Sequence, residues 1–291
     1  MDLASLRIFQ AVVEHGGVYR AAEKLHRVPS NITTRVKQLE EELGIKLFIR
    51  EGRRLALSDE GRVLLPFANQ MLRLSDEAVA AMKTGRPRGV LRIGALESTS
   101  AARLPPLLSA YHRLYPEVQL EMVTGTSGTL IDLLAKQMIE AAFVAEPFKD
   151  AGFESLVAFE EELILIAPKG LKRIRTPSDV GQSTIIAFAT GCSYRRRLES
   201  WLGGGNVHAG RIIEFQSYHA IIACVSAGTG IAVIPKSVLA LAVDPTALAR
   251  YPLPPSIAFA KTRLVWRPRY QSVALEAFKS LVPARPVKRA A

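Results

Sequence analysis

Between Ala21 and Glu42 the chain reads AAEKLHRVPSNITTRVKQLEEE. The segment divides into two short helices around a tight turn. Leu25 anchors the first; Ile32, Val36, Leu39 and Leu43 recur at helical spacing in the second and are expected to bury. That spacing leaves Ser30, Asn31, Thr33, Thr34 and Lys37 pointing outward near a helix start, with Arg35 at the margin. Small hydrogen-bonding side chains and cations placed so are what a helix needs to enter a major groove and touch base edges. An amphipathic helix pair of no special function shares the periodicity, so the flanks decide.

The flanks extend the pattern. A helix with the apolar stripe Leu6, Phe9, Val12 and Val13 precedes the pair, and Gly16-Gly17 closes it. Downstream, Leu47-Phe48-Ile49 and Leu55-Ala56-Leu57 flank Arg50-Glu51-Gly52-Arg53-Arg54. Two short strands around a glycine-bearing turn predict a hairpin, or wing. Its tip offers Arg50, Arg53 and Arg54 to a phosphate backbone.

The run from Leu3 to Leu65 resembles the N-terminal domain of the LysR-type transcriptional regulators. The marks are LRIFQAVVEHGG, the Ala21-Ala22-x-x-Leu25-His26 helix, QLEEELGIKLFIR and LALSDEGRVLL, and the resemblance continues through nearly the whole chain. One departure stands out. The family commonly begins its recognition helix with a Ser-Gln-Pro-Ala-like stretch; here it is Val28-Pro29-Ser30-Asn31. Proline cannot hydrogen-bond a base as glutamine can, which leaves the operator half-site open.

Charge permits a polyanionic partner without locating it. The net charge is +11 and the pI about 9.9. Residues 1–89 carry 15 basic and 11 acidic side chains, net +4, and residues 90–291 carry 23 and 16, net +7. The excess is not gathered on the first segment, and Glu40, Glu41 and Glu42 place negative charge late in the recognition helix, so the basic groups of helix and wing matter more than the total. Two cysteines, Cys192 and Cys224, are too few for a disulfide scaffold. MDLASLRIFQ has no secretory pattern, and no apolar run approaches the roughly 18–20 residues of a membrane span. A soluble, cytoplasmic protein without membrane contact is expected.

Ser58 to Met82 reads as one helix, capped by Ser58 and Asp59, with Pro66 inside it. Its apolar residues, among them Val63, Phe67, Leu74 and Val79, cover more than one packing face. The pattern suits a buried core helix or a dimerisation helix; the resemblance implies the latter. Thr84 to Gly89 reads as a linker. Beyond it, strands alternate with helices. Strands are expected at Leu91–Glu97, Val118–Thr124, Ala141–Ala145, Leu163–Ala167, Thr184–Ala189, Arg211–Phe215, Gly230–Ile234 and Leu264–Trp266. Helices are expected from the first strand to about Tyr115, at Leu130–Met138, Tyr194–Leu202, Tyr218–Ser226, Pro235–Ala242 and Gln271–Leu281. Such units build parallel-rich sheets covered by helices. The fold class is therefore α/β overall: a mainly α winged helix-turn-helix and linker helix, then an α/β effector domain. The resemblance implies that this domain has two subdomains, like the periplasmic solute-binding proteins. The expected division is 1–58 for DNA binding, 59–89 for the linker and dimerisation helix, and 90–291 for effector binding. Within the last, subdomain I takes about 90–162 and 267–291 and subdomain II about 163–266. Pro283 to Ala291 reads as a frayed tail.

Ligands of open α/β sheets bind beyond the carboxyl ends of the strands. Four such places are rich in small polar residues: Ser98-Thr99-Ser100, the loop with Thr126 and Ser127, the loop Gly191-Cys192-Ser193, and the turn at Thr229. Helix starts there favour anions, although capping alone explains each singly. The resemblance implies that Ser98, Thr99, Thr126, Ser127 and the Cys192 loop line an effector cleft. Glu146 lies beside it in the family architecture, where some relatives carry arginine; as an acid it reads either as a solvated strand end or as a contact that rewards an amine. Of Arg195-Arg196-Arg197, at most two can face a cleft. One family branch senses peroxide through a cysteine pair, but Cys224 sits in an apolar helix, where packing accounts for it.

No nucleotide loop, nucleophile elbow or metal-ligand spacing is present in the sequence, so no catalytic residue, cofactor or metal is expected. The reading is a sequence-specific transcriptional regulator modulated by a small-molecule effector. The alternative is a small-molecule-binding protein or enzyme of solute-binding fold. The expected partners are double-stranded DNA, a small carboxylate or amino-acid-like metabolite, a second or further copies of the chain as homodimer or homotetramer, and RNA polymerase.

Overall fold

The computed structural model describes residues 1–51, 54–82, 86–148, 152–171, 174–207, 210–241, 247–270 and 272–283. The chain forms two compact units, Met1–Gly85 and Arg86–Ala291.

The first unit begins with α1 (Leu3–Glu14), α2 (Val18–Lys24) and α3 (Pro29–Leu43). Asp2 caps α1 by accepting the Ser5 N–H at 2.6 Å. That bond, helped by Arg35, holds the Asp2 carboxyl below its ordinary range. Gly16 and Gly17 turn the chain out of α1 at φ of +69° and +147°, a region closed to most side chains. Between α2 and α3 the chain turns through His26 at φ of 51°. Pro29 stands in the first turn of α3, where its missing N–H costs nothing. Gly44, left-handed, stops the helix. Phe9, Leu39 and Leu47 meet in one core, and Ile8, Ala21 and Ile32 in a second. Val36, Leu43 and Leu25 are partly buried against them.

The expected wing is present as β1 (Phe48–Glu51) paired antiparallel with β2 (Arg54–Leu57), Ile49 facing Ala56. Its connecting residues Gly52 and Arg53 lie outside the described residues, as do the side chains of Arg50 and Arg54. Helix α4 (Asp59–Met82) follows. The Ser58 hydroxyl accepts the Gly61 N–H at 2.9 Å and donates to Lys46 O at 2.6 Å, so one residue caps α4 and ties it to the wing. Ala68 and Leu72 of α4 bury against α1, while Val63, Phe67, Leu74 and Val79 are exposed.

The second unit opens with β3 (Gly89–Ala95), α5 (Glu97–Ala102), α6 (Leu104–Leu114), β4 (Val118–Thr124), α7 (Ser127–Ala135) and β5 (Ala141–Ala145). Long β6 (Glu154–Pro168) leads to β7 (Ile185–Phe188), α8 (Ser193–Gly204), β8 (Ile212–Phe215), α9 (Tyr218–Ser226), β9 (Ala232–Pro235), α10 (Lys236–Leu239), β10 (Leu248–Pro252) and α11 (Pro255–Ala258). The chain returns through β11 (Phe259–Trp266) to α12 (Val273–Leu281). Strands β4, β3 and β5 are parallel. Strand β11 lies antiparallel between β5 and the first half of β6. The second half of β6 pairs antiparallel with β9 and β10. Strands β7 and β8 are parallel and joined to this set by a bridge from Ile185 to Ile231. Thus β6 and β11 run between two α/β lobes, the two subdomains that the resemblance implied. Among the described residues no helix is long and apolar enough to cross a membrane.

Several boundaries differ from expectation. The single helix after β3 is two, because Pro105 and Pro106 fit only a first turn and force a restart at Leu104. Strand β6 begins nine residues before Leu163, and β11 five before Leu264. Strand β10 and α11 were not expected. The helix expected at Pro235–Ala242 is formed only by Lys236–Leu239, and residues 242–246 lie outside the described ones. So do the linker residues 83–85 and the tail from 284.

Candidate functional site

Two surfaces carry the residues that the sequence singled out. On α3, Ser30, Asn31, Thr33, Thr34 and Lys37 lie on the side away from the core, while Ile32 and Leu39 are buried. Their hydrogen bonding separates them. The Thr33 hydroxyl donates to Pro29 O at 3.0 Å, so it meets a ligand as an acceptor and a methyl group. Asn31 is exposed, and its Oδ1 accepts from Arg27 at 3.4 Å. Arg35 is half-buried and its guanidinium lies 3.6 Å from Asp2. The three glutamates that end α3 are not one acidic block. Glu40 is buried, accepts the N–H groups of Leu47 and Phe48 at 2.8 and 3.2 Å, and pairs with Lys46. It holds the entry to the wing, a role the sequence reading missed.

The second surface is a narrow cleft in the C-terminal unit with about 20 Å³ of free room. Of the expected set, Ser98, Thr126, Cys192 and Ser193 line it. Glu97, Phe188, Tyr194 and Tyr218 line it as well. Its floor is a hydroxyl relay. Ser127 Oγ accepts the Ala145 N–H at 3.1 Å and donates to Ala145 O at 3.2 Å. Ser193 Oγ donates to Ala145 O at 2.8 Å and lies 3.1 Å from Ser127 Oγ. Ser127 belongs to α7 and Ser193 to α8, so their contact joins the two lobes. Gly191, at φ of +98°, passes so close that an added Cβ would lie 3.0 Å from Thr126 Oγ1. The Thr126 hydroxyl also accepts the Thr129 N–H at the start of α7.

The remaining expected residues sit elsewhere. Thr99 and Ser100 follow on α5, with hydroxyls that are buried and unpartnered, and neither lines the cleft. Thr229 is exposed in the turn after α9. Glu146 is outside the lining, its carboxylate held by Arg263 at 2.9 Å. On α8, Arg195 is held by Glu199 at 2.7 Å and by Glu214, Arg197 donates to Glu146 O at 3.3 Å, and Arg196 is exposed. Burial pushes the Cys192 thiol and the Tyr194 and Tyr218 phenols above their ordinary values. The same cause raises Glu97, whose Oε1 accepts the Tyr218 N–H at 3.3 Å while Oε2 is buried without a partner. Glu97 was read from sequence only as the end of a strand.

Comparison with known proteins assigns both units to a family. Residues 3–62 match the family described as bacterial regulatory helix-turn-helix protein, lysR family, and residues 84–285 match the LysR substrate binding domain. The chain belongs to the LysR-type transcriptional regulators. It is 37% identical over 268 residues, 92% of this chain and 90% of the relative, to the uncharacterized HTH-type transcriptional regulator YusT of Bacillus subtilis. It is 35% identical over 241 residues to the regulator GltR of the same organism, covering 82% of this chain and 81% of that one. The fold is that of full-length CbnR complexed with its target DNA, with a TM-score of 0.71 at 21% identity over 97% of this chain and 99% of that chain. A full-length OxyR variant from Pseudomonas aeruginosa gives 0.71 at 21% identity, over 98% of each chain. In a LysR-type regulator the helix-turn-helix binds DNA and the cleft domain binds an effector, so the chain is a DNA-binding transcriptional regulator with an effector-binding domain.

Proposed function

We propose that Ser30, Asn31, Thr33, Thr34, Arg35 and Lys37 face the major groove, and that Arg50, Arg53 and Arg54 hold phosphate. The supporting observation is that the polar residues of α3 share its outer side while Ile32 and Leu39 bury. The domains divide at 1–58, 59–89 and 90–291, and the C-terminal cleft takes a small carboxylate or amino-acid-like effector. Ser98, Thr126, Cys192 and Ser193 border that effector; Thr99, Ser100, Ser127 and Gly191 support the same loops, and Glu146 and Thr229 lie at their periphery. The protein acts as a regulator in the cytoplasm, not as an enzyme. It works as a homodimer or homotetramer, since one recognition helix makes too few contacts for useful specificity and paired half-sites supply more. RNA polymerase is the further protein partner. Effector binding shifts the balance between closed and open clefts, and with it the spacing of the recognition helices.

Selection of binding sites from random DNA tests the reading face. Thr34→Ala and Asn31→Ala should each relax one base position, worth about 1–3 kcal/mol. Arg54→Ala should weaken all sequences alike and lower the salt slope by about 1. Unchanged base preference in both helix variants would overturn the assignment.

A further inference from the structure

We infer that the cleft selects a small protonated amine, held by the second carboxylate oxygen of Glu97 and the rings of Phe188 and Tyr218. The inference rests on reading the cleft as the effector site and narrows the small carboxylate or amino-acid-like effector proposed above to ligands that carry an ammonium.

Three observations meet here. A carboxylate offers about four acceptor positions, and Glu97 spends one oxygen on the Tyr218 N–H while Oε2 stays buried and unpartnered. An orphaned buried oxygen is costly unless a donor arrives, and an ammonium brings three donors with a compensating charge. Next, Phe188 and Tyr218 wall the same cavity with ring centroids 4.7 Å apart. Aromatic faces attract cations, most strongly when water is excluded. Finally, among the described residues no lysine, arginine or histidine lines the cleft. Arg195, Arg197, Arg103 and Arg263 are all committed to protein acceptors. His219 acts on Glu97 from the adjoining groove but does not line the cleft, so a simple carboxylate there would face the Glu97 charge. The start of α8, which has no side-chain cap, borders the same cleft and suits an acceptor elsewhere on the same ligand. The Glu146 carboxylate, just past the strand that ends at the cleft, is already taken by Arg263.

Glu97 and Tyr218 also border a larger groove of about 330 Å³ with His219, Ile222 and Val238. Phe188 and Tyr194 border the cleft alone, so substitution separates the two.

The test is thermal unfolding of the full chain with methyl-, ethyl- and n-butylammonium, against acetate, propionate and butyrate at matched ionic strength. At ten times its dissociation constant an ammonium probe should raise Tm by about 3–5 °C, and the carboxylates should not. Glu97→Gln, which keeps the acceptor for Tyr218, and Phe188→Leu should each weaken ammonium binding by about tenfold or more. No shift with any ammonium, or a shift that both variants leave unchanged, overturns the inference. So does a shift lost in Ile222→Ala but kept in Phe188→Leu, which moves the site to the groove. A butyrate shift abolished by Phe188→Leu would overturn the amine while keeping the cleft as effector site. A carboxylate shift indifferent to every cleft substitution would count against the cleft itself.

Discussion

Glu40 shows how little a residue's type says about its work. In sequence it is one of three acids closing a helix that should approach DNA. In the fold its side chain turns inward and accepts the first two N–H groups of the wing. Glu40→Ala should cost about 2–4 kcal/mol in urea unfolding, because two amides lose their acceptor. Exposed Glu41→Ala should stay within about 0.5 kcal/mol. Burial of titratable groups makes a second prediction. Tyr111, Tyr194, Tyr218 and Cys192 are held neutral by burial, with folded values above the ordinary 10.0 of a phenol and 9.0 of a thiol. A raised folded value gives stabilisation that is full below the unfolded value and lost as pH rises toward the folded one. The urea midpoint should therefore begin to fall as pH rises through 9.0, where the unfolded thiol ionises, and fall more steeply through 10.0, where the unfolded phenols do. For the same reason Cys192 should resist alkylation in the folded protein and react at an ordinary thiol rate when unfolded.

At the scale of elements, what could be read depended on whether the signal was local. Helices α1 to α3 are legible because their apolar spacing is local, and α1 and α3 also end at glycines. The first half of β6 is not, since Glu160, Glu161 and Glu162 interrupt its apolar run. Glu161 is tolerated because Arg103, 58 residues away, clamps it with bonds of 2.7 and 3.1 Å. A partner so distant leaves no mark in a sequence window. Strand β10 is short, ends at Pro252 and, among the described residues, pairs only with β6, so its pattern is too brief to stand out. For the candidate site, the loops bearing Ser98, Thr126 and Cys192 were legible as helix starts after strands. Glu97 was not, because its significance comes from Tyr218 and from burial. Helix α4 gives the element-scale prediction. Val63, Phe67, Leu74 and Val79 remain exposed although they follow an apolar pattern, and such residues mark an association surface. Phe67→Glu with Leu74→Glu should yield monomer in sedimentation and reduce operator affinity at least about tenfold, with the helical circular dichroism retained.

At the scale of the whole molecule, the effector control proposed above needs a closed arrangement of the two lobes of the C-terminal unit that few bonds hold. The relay of Ser127, Ser193 and Ala145 O supplies such a contact. Ser127→Ala and Ser193→Ala should be non-additive in stability, with a coupling of about 0.5–3 kcal/mol in a double-mutant cycle; additivity would mean that the lobes do not communicate through it. The most direct measurement on the regulator as a whole is footprinting of the full-length protein on the DNA upstream of its own gene, over a salt series. Protection of two or more spaced half-sites that persists as salt rises, and changes with Asn31→Ala or Thr34→Ala, is the expected result. Uniform, sequence-indifferent protection that salt abolishes, identical in the α3 variants, would contradict recognition through the exposed face of α3.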